Sequence, residues 1–402
     1  MGTALTGRAS QPSETSSRIR QTITHMRIGI LGGGQLGRML ALAAYPLGFR
    51  CTVFDPAHDP CAAQVCPHIR GEYDDYQKLY ELVQMSDVIT YEFENVPVAT
   101  AEWLAERKPV YPPPRALAVG QERLAEKEFF TRLGIPTPRY YPVESEADFH
   151  AALQQIGLPA VLKTRMYGYD GKGQVVLQRP EDCPQAWQRL GGRPLILEEY
   201  ISFDRELSLL AVRGRDGQIH CWPLVENQHI DGILHRSIAP AGGTEELSER
   251  AAEYACRILE ELNYVGVLTI EWFQDGPRLL ANEMAPRVHN SGHWTWEGAR
   301  TSQFENHMRA ITGLPLGDCR MLTHQAVMYN FIGTIPPLPE ILRIPEASVH
   351  IYGKSPRPGR KVGHATLLTL TPDEWTEKLP SWDQIFARRP YREDLHGDPL
   401  SG

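Results

Sequence analysis

Residues 265–294, VGVLTIEWFQDGPRLLANEMAPRVHNSGHW, decide the fold. Residues 265–273 and 278–283 read as two strands that turn back on each other at Asp275-Gly276, a dipeptide suited to a tight hairpin. If the strands pair, Glu271 and Glu283 can face one another, with Asn282 beside them. Two carboxylates and an amide oxygen are the hard donors that Mg2+ takes while it bridges nucleotide phosphates. The plainer reading is a pair of exposed strand acids, but adjacent like charges without a cation are unfavourable. Just downstream, Pro286, Asn290 and Gly292 argue for a loop, where the four-residue spacing of His289 and His293 does not put two imidazoles on one face. Both therefore read as polar contacts to a substrate.

Toward the N-terminus, RIGIL (27–31), GGGQLG (32–37), RMLALAAYPLG (38–48) and CTVFD (51–55) run strand, glycine turn, helix, strand. A further strand at 87–93 lies between helical segments, and such alternation builds a parallel sheet covered on both faces. Gly32-Gly33-Gly34-Gln35-Leu36-Gly37 fits G-x-G-x-x-G, and Asp55 ends the next strand. The turn is either a dinucleotide site with Asp55 on a ribose or a tight turn that binds no dinucleotide. Prolines 112–114 close this first unit.

A second unit opens with a helix at 121–133, stopped by Gly134 and Pro136, and continues with strands at 160–163, 174–177 and 194–198 and a helix near 181–190. Lys163 ends a buried strand and Lys172 rides the following glycine loop, an arrangement that clamps phosphates, although no Walker A loop is present. Glu198-Glu199-Tyr200-Ile201, with Glu206 beyond, is either a solvated edge or the holder of an adenosine. The third and largest unit has alternating runs at 206–212 and 219–225, a helix at 245–262, the hairpin, and a β-rich tail at 348–370. In the tail, Lys354, Arg357, Arg360 and Lys361 sit on a loop stiffened by Pro356 and Pro358, a natural pocket for a phosphate monoester. His58, Cys61, Cys66 and His68 imitate zinc spacing, but on a turn-like segment.

The 402 residues suggest two or three domains, with 42% hydrophobic and 22% charged residues. A net charge of −8 argues against a nucleic-acid partner and requires any anion site to be a local basic pocket. The longest apolar stretch, 39–49, is broken by Pro46 and too short for a bilayer, so no membrane span is expected. Seven cysteines, an odd number with no secretory segment, favour reduced thiols and a cytoplasmic location. Only eight lysines occur, and Lys163, Lys172, Lys354 and Lys361 all fall in the expected phosphate sites. Residues 1–25 carry no hydrophobic pattern and read as a disordered leader.

Together GILGGGQLGRM (29–39), YEFENV (91–96), GYDGKGQ (168–174), DGILHRS (231–237), NEMAPRVHNSGHWT (282–295) and RPGRKVGH (357–364) resemble the ATP-grasp superfamily. Within it the chain resembles the N5-carboxyaminoimidazole ribonucleotide synthases. That resemblance implies an α/β and α+β chain with an ATP-grasp fold. A Rossmann-like (pre-ATP-grasp) domain would span 26–120 and a small lid domain 121–200. A large domain with a C-terminal β-rich tail would span 201–402. It also implies ATP, Mg2+ (or Mn2+) and bicarbonate as reactants or cofactors, 5-aminoimidazole ribonucleotide as substrate, and a homodimer. By matching positions, ATP would meet Arg123, Lys163, Gly168, Tyr169, Asp170, Gly171, Lys172, Gly173, Gln174, Glu198, Glu199, Tyr200, Ile201, Glu206, His229, Asn282 and Glu283. Glu271, Glu283 and Asn282 would hold the metal. The ribonucleotide would meet Gln35, Leu36, Tyr169, Asp170, Arg287, His289, Asn290 and Ser291, with Lys354 and Arg360 on its phosphate. Asp170, Tyr169, Arg287 and His289 would act in the chemistry. In this reading the N–H groups of the glycine turn face the ribonucleotide rather than a dinucleotide.

Overall fold

The computed structural model describes residues 26–166, 168 and 173–387. The expected leader at 1–25 and the loop residues Tyr169, Asp170, Gly171 and Lys172 lie outside the described residues.

Three sheets build the molecule. The first is parallel, in the order β3 (His68–Arg70), β2 (Arg50–Asp55), β1 (Arg27–Leu31), β4 (Val88–Tyr91). The middles of β1, β2 and β4 are buried, as strands covered on both faces must be, while the edge strand β3 is only partly so. Helices Gln35–Ala44, Tyr76–Met85 and Val98–Ala105 connect them, the second capped by Asp75. The second sheet is antiparallel, in the order β5 (Tyr140–Val143), β8 (Leu195–Glu199), β6 (Ala160–Thr164), β7 (Gln174–Leu177).

The third sheet has nine strands, all antiparallel: β9 (Arg205–Arg213), β10 (Ile219–Cys221), β11 (Val225–Ile230), β12 (Ile233–Ala239), β13 (Gly266–Asp275), β14 (Arg278–Ala285), β15 (Gln325–Ile332), β16 (Ala347–Ile351) and β17 (Lys361–Thr369). The run at 219–225 therefore divides into the short β10 and the start of β11. The β-rich tail is not a separate layer, because β17 pairs with β15 and extends the same sheet. The helix Arg123–Arg132, which chain order groups with the second unit, packs on the large sheet. Its Phe129 and Phe130 share a core with Leu207, Leu268 and Trp272.

The first and third sheets also share a core. Ile28, Met39 and Leu40 pack with Leu210, Val212, Trp294 and Met308. Burying such side chains contributes about 1.5–3 kcal/mol each, so the glycine turn and the large sheet form one body.

The segment after residue 370, which carried no recognisable motif, forms the helix Pro372–Ala387. Asp383 accepts from Arg236 at 2.6 and 2.7 Å and from the Tyr329 hydroxyl at 2.7 Å. Phe386 stacks on Tyr329 at 4.4 Å, and Trp382 is buried against β15 and β17. Trp382→Ala should therefore lower the free energy of unfolding by about 3 kcal/mol. A denaturant midpoint unchanged from the parent would show that this helix adds nothing to the packing.

Candidate active site

The hairpin β13–β14 pairs with Glu271 opposite Glu283, although its turn, with Asp275 opposite Arg278, would by itself set Glu271 opposite Asn282. A β-bulge follows immediately, since Trp272 pairs with Ala281 and leaves Asn282 as the extra residue. Regular alternation would send Asn282 and Glu283 to opposite faces, whereas the bulge lets both reach one cavity. Glu283 accepts from Arg123 at 3.0 Å, and Arg123 opens a helix whose first amides are capped by Glu122. Burial, reinforced by Glu283, pushes the Glu271 carboxyl up to about 7. The Asn282 Oδ1 is buried with no hydrogen-bond partner. Among the described residues no three His, Cys, Asp or Glu side chains converge as a metal site, zinc-like spacing at 58–68 included. Two carboxylates that repel one another beside an orphaned amide oxygen fit a hard divalent cation.

The cavity has a volume of about 1130 Å3 and lies where the three sheets meet. It gathers Arg123, Lys163, Gly168, Gln174, Glu198, Glu199, Tyr200, Ile201, Glu206, His229, Glu271, Asn282 and Glu283 with Gln35, Leu36, Arg287, His289, Asn290, Lys354 and Arg360. Toward the second sheet, Val161, Val176, Ile201 and the stacked pair Phe203 and Phe273 (4.9 Å between ring centroids) make an apolar slot. His229 Nδ1 lies 2.8 Å from Glu206 Oε2. Burial would lower the His229 imidazole, but Glu206 and Glu271 leave it raised.

Several expected residues sit elsewhere. Gly173 is not in the cavity wall; its carbonyl accepts from the Thr164 amide at 2.8 Å. Ser291 is fully buried behind His289, bonded to its Nδ1 at 2.9 Å and to the Ser208 hydroxyl at 2.8 Å. The Ser291 amide also points at Nδ1 (3.3 Å), which leaves the ring proton on Nε2, 3.2 Å from Glu271. Ser291 thus orients His289 rather than reaching the cavity. His293 is likewise no substrate contact: it is buried among Phe304, Tyr352 and His364. The amides of the four glycines in the turn point inward, Gly32 donating to the Phe54 carbonyl at 2.8 Å. Gly33 donates to Asp55 at 2.7 Å, while Gly34 and Gly37 donate to Glu92 at 2.8 and 3.1 Å. A dinucleotide would find those N–H groups and the Asp55 carboxylate already engaged, and a ribonucleotide would find only Gln35 and Leu36 of the turn lining the cavity.

Sequence reasoning overlooked Lys127. This fully buried lysine donates to the carbonyls of Ala281 and Asn282 at 3.2 and 2.7 Å and lies 3.6 Å from Glu198. Its signal was its place one helical turn after Arg123, on the same face. Lys163 donates to the same Glu198 at 2.9 Å. Burial alone would raise the Glu198 carboxyl, but Lys127, Lys163 and Arg123 hold it down at about 2. Glu94, in the YEFENV stretch, pairs with Arg287.

Comparison with known proteins follows this geometry closely. Three family models match: a ribonucleotide synthetase preATP-grasp domain at residues 25–121, an ATP-grasp domain at 128–304 and a phosphoribosylaminoimidazole carboxylase C-terminal domain at 326–378. The N5-carboxyaminoimidazole ribonucleotide synthase of Pseudomonas aeruginosa is 52% identical over 342 residues, 85% of this chain and 94% of that protein. The chain belongs to the N5-carboxyaminoimidazole ribonucleotide synthase family. It is therefore an ATP-grasp ligase by family. The crystal structure of the Thermus thermophilus synthetase superposes with a TM-score of 0.86 at 52% identity, covering 91% of this chain and all of that one. The Aspergillus clavatus enzyme, solved with ADP and 5-aminoimidazole ribonucleotide, gives 0.84 at 31% identity over 90% of this chain and 99% of that one. No helix among the described residues is long and apolar enough to cross a membrane.

Lys127→Met leaves Glu198 buried with one partner fewer, and should cost about 3 kcal/mol of stability. The pH dependence gives a second reading of the same pair. Glu198 is depressed from 4.5 to about 2 in the folded protein, so its contribution is complete above about 4.5 and is lost as pH falls toward about 2. In Lys127→Met the folded-state Glu198 carboxyl rises toward its ordinary value, so less stability should be lost between about pH 4.5 and 2 than in the parent. An unchanged acid limb of unfolding would contradict the pairing.

Proposed function

We propose that this cavity carries both halves of one reaction, with ATP at the end walled by Lys163, Glu198 and the apolar slot, and the ribonucleotide at the end walled by Arg287, Lys354 and Arg360. The chain uses ATP to carboxylate 5-aminoimidazole ribonucleotide to N5-carboxyaminoimidazole ribonucleotide, a step of purine synthesis. The observation that carries the reading is that one continuous cavity is lined by the lysine clamp, the carboxylate hairpin and the basic loop together.

Adenine fits between Val161, Val176 and the stacked phenylalanines, with Tyr200 and Ile201 at its edge and Glu206 near the ribose. Arg123 and Lys163 face the phosphates with Gly168 and Gln174 beside them, and Lys172 is assigned to the same phosphates by its place in the glycine loop of the sequence. Glu271, Glu283 and Asn282 would hold Mg2+ (or Mn2+), which when bound neutralises phosphate oxygens. Bicarbonate oxygen attacks the γ-phosphorus, ADP departs, and the carboxyphosphate formed breaks into CO2 and phosphate. The exocyclic amine then bonds to CO2 and gives up a proton, for which Asp170 is the candidate acceptor, with Tyr169 beside it. Arg287 and His289 line the wall between the two ends, where they meet the carboxyl group as it is transferred. This chemistry needs positioning and charge neutralisation more than a nucleophilic side chain. The same reading has the enzyme act as a cytoplasmic homodimer.

ADP release should require both bicarbonate and 5-aminoimidazole ribonucleotide, and formate with glycinamide ribonucleotide should not replace them. Arg360→Ala should raise the ribonucleotide KM at least about tenfold while leaving the ATP KM near the parent value. Equal rises in both would remove Arg360 from the phosphate end.

A further inference from the structure

The glycine turn remains to be explained, because its fingerprint is intact yet its amides serve the protein. Glu92 is buried at 8% exposure and accepts from Gly34 and Gly37 at the start of helix Gln35–Ala44. The turn is shaped around that carboxylate. A Cβ on Gly34 would lie 2.5 Å from Glu92 Oε1, and one on Gly32, at φ +98°, 2.5 Å from Glu92 Cγ. Glycine is needed here to admit an internal carboxylate, where a dinucleotide fold uses it to admit pyrophosphate. The next residue, Gln35, accepts from the Lys354 ammonium. Glu92, Gln35 and Lys354 line one open recess that continues into the main cavity.

We propose that Glu92 is a positioning residue for the ribonucleotide phosphate: by accepting the Gly34 and Gly37 amides it fixes Gln35, which holds the Lys354 ammonium, and it sets a carboxylate in the recess that Lys354 lines. This rests on the reading of Lys354 as a phosphate anchor. The surroundings of Lys354 explain why a carboxylate is required. Burial lowers the lysine most, Cys61 and then Glu92 raise it, and Arg360 and Lys361 lower it again. Glu92 itself is raised by burial and drawn back by Lys354, the two glycine amides and Arg287. An isolated lysine in that company would lose its proton more readily and bind a phosphate as a neutral amine.

The test is Glu92→Gln, which preserves size and an acceptor oxygen, assayed with the full chain for the KM of each substrate from neutral to alkaline pH. The ribonucleotide KM should rise about tenfold with the ATP KM unchanged. Its alkaline limb should move to lower pH, because Lys354 deprotonates sooner. Glu92→Asp, which keeps the charge, should retain the parent limb even if the turn is loosened and affinity falls. In a double-mutant cycle, Glu92→Gln should add little to Lys354→Ala. An unmoved limb in Glu92→Gln, an equal shift in Glu92→Asp, or full additivity would overturn the proposal. If Lys354→Ala alone leaves the ribonucleotide KM unchanged, the phosphate-anchor reading fails instead, and the proposal with it.

Discussion

Two carboxylates, Glu271 and Glu283, are held face to face by a hairpin register that neither can leave. A slip of one residue in either strand would turn its glutamate to the other face of the sheet, so backbone pairing enforces a repulsion that the side chains would relieve if they could. The surrounding groups are arranged around that constraint. Arg123 sits on Glu283, the Nε2 proton of His289 points at Glu271, and the bulge delivers the amide oxygen of Asn282 to the same place. The pair stays poorly neutralised, as the raised Glu271 carboxyl records. A divalent cation arriving with a nucleotide is the natural complement.

The same economy governs the rest of the cavity. On the proposed function an acidic chain binds phosphates at two ends, and it concentrates cations there, several of them paired with buried carboxylates. Lys127 and Lys163 share Glu198, Arg287 pairs with Glu94, and Lys354 lies beside Gln35 with Glu92 behind it. Removing one member of such a set leaves a buried charge exposed to low dielectric, which costs more than the pair contributes. Lysine scarcity is thus informative twice over, because Lys127, the one missed, also belongs to the site.

The reading of sequence succeeded where the signal was local. Asp275-Gly276 marked the hairpin, and the basic loop stood out because its cations are neighbours in the chain, but the facing of the two glutamates needed the bulge at Asn282 as well. What was not legible depends on distant partners. Asn282 is a bulge only because β13 pairs opposite it. The tail became part of the large sheet only because β15 accepted β17. The glycine turn misled for the same reason: its true partner, Glu92, is 58 residues from Gly34. Ser291 and His293 shared a polar run with His289, but the short helical turn Asn290–Gly292 sends both of them into the core.

On the proposed function, the Glu271–Glu283 pair would be completed by a divalent cation carried with ATP. Calorimetric titration of ATP into the protein, with Mg2+ and with chelator, tests it most directly. In the parent, Mg2+ should strengthen ATP binding at least about tenfold, and Glu271→Gln should lose most of that gain. ATP binding that is equally strong without Mg2+, and indifferent to the substitution, would contradict the account.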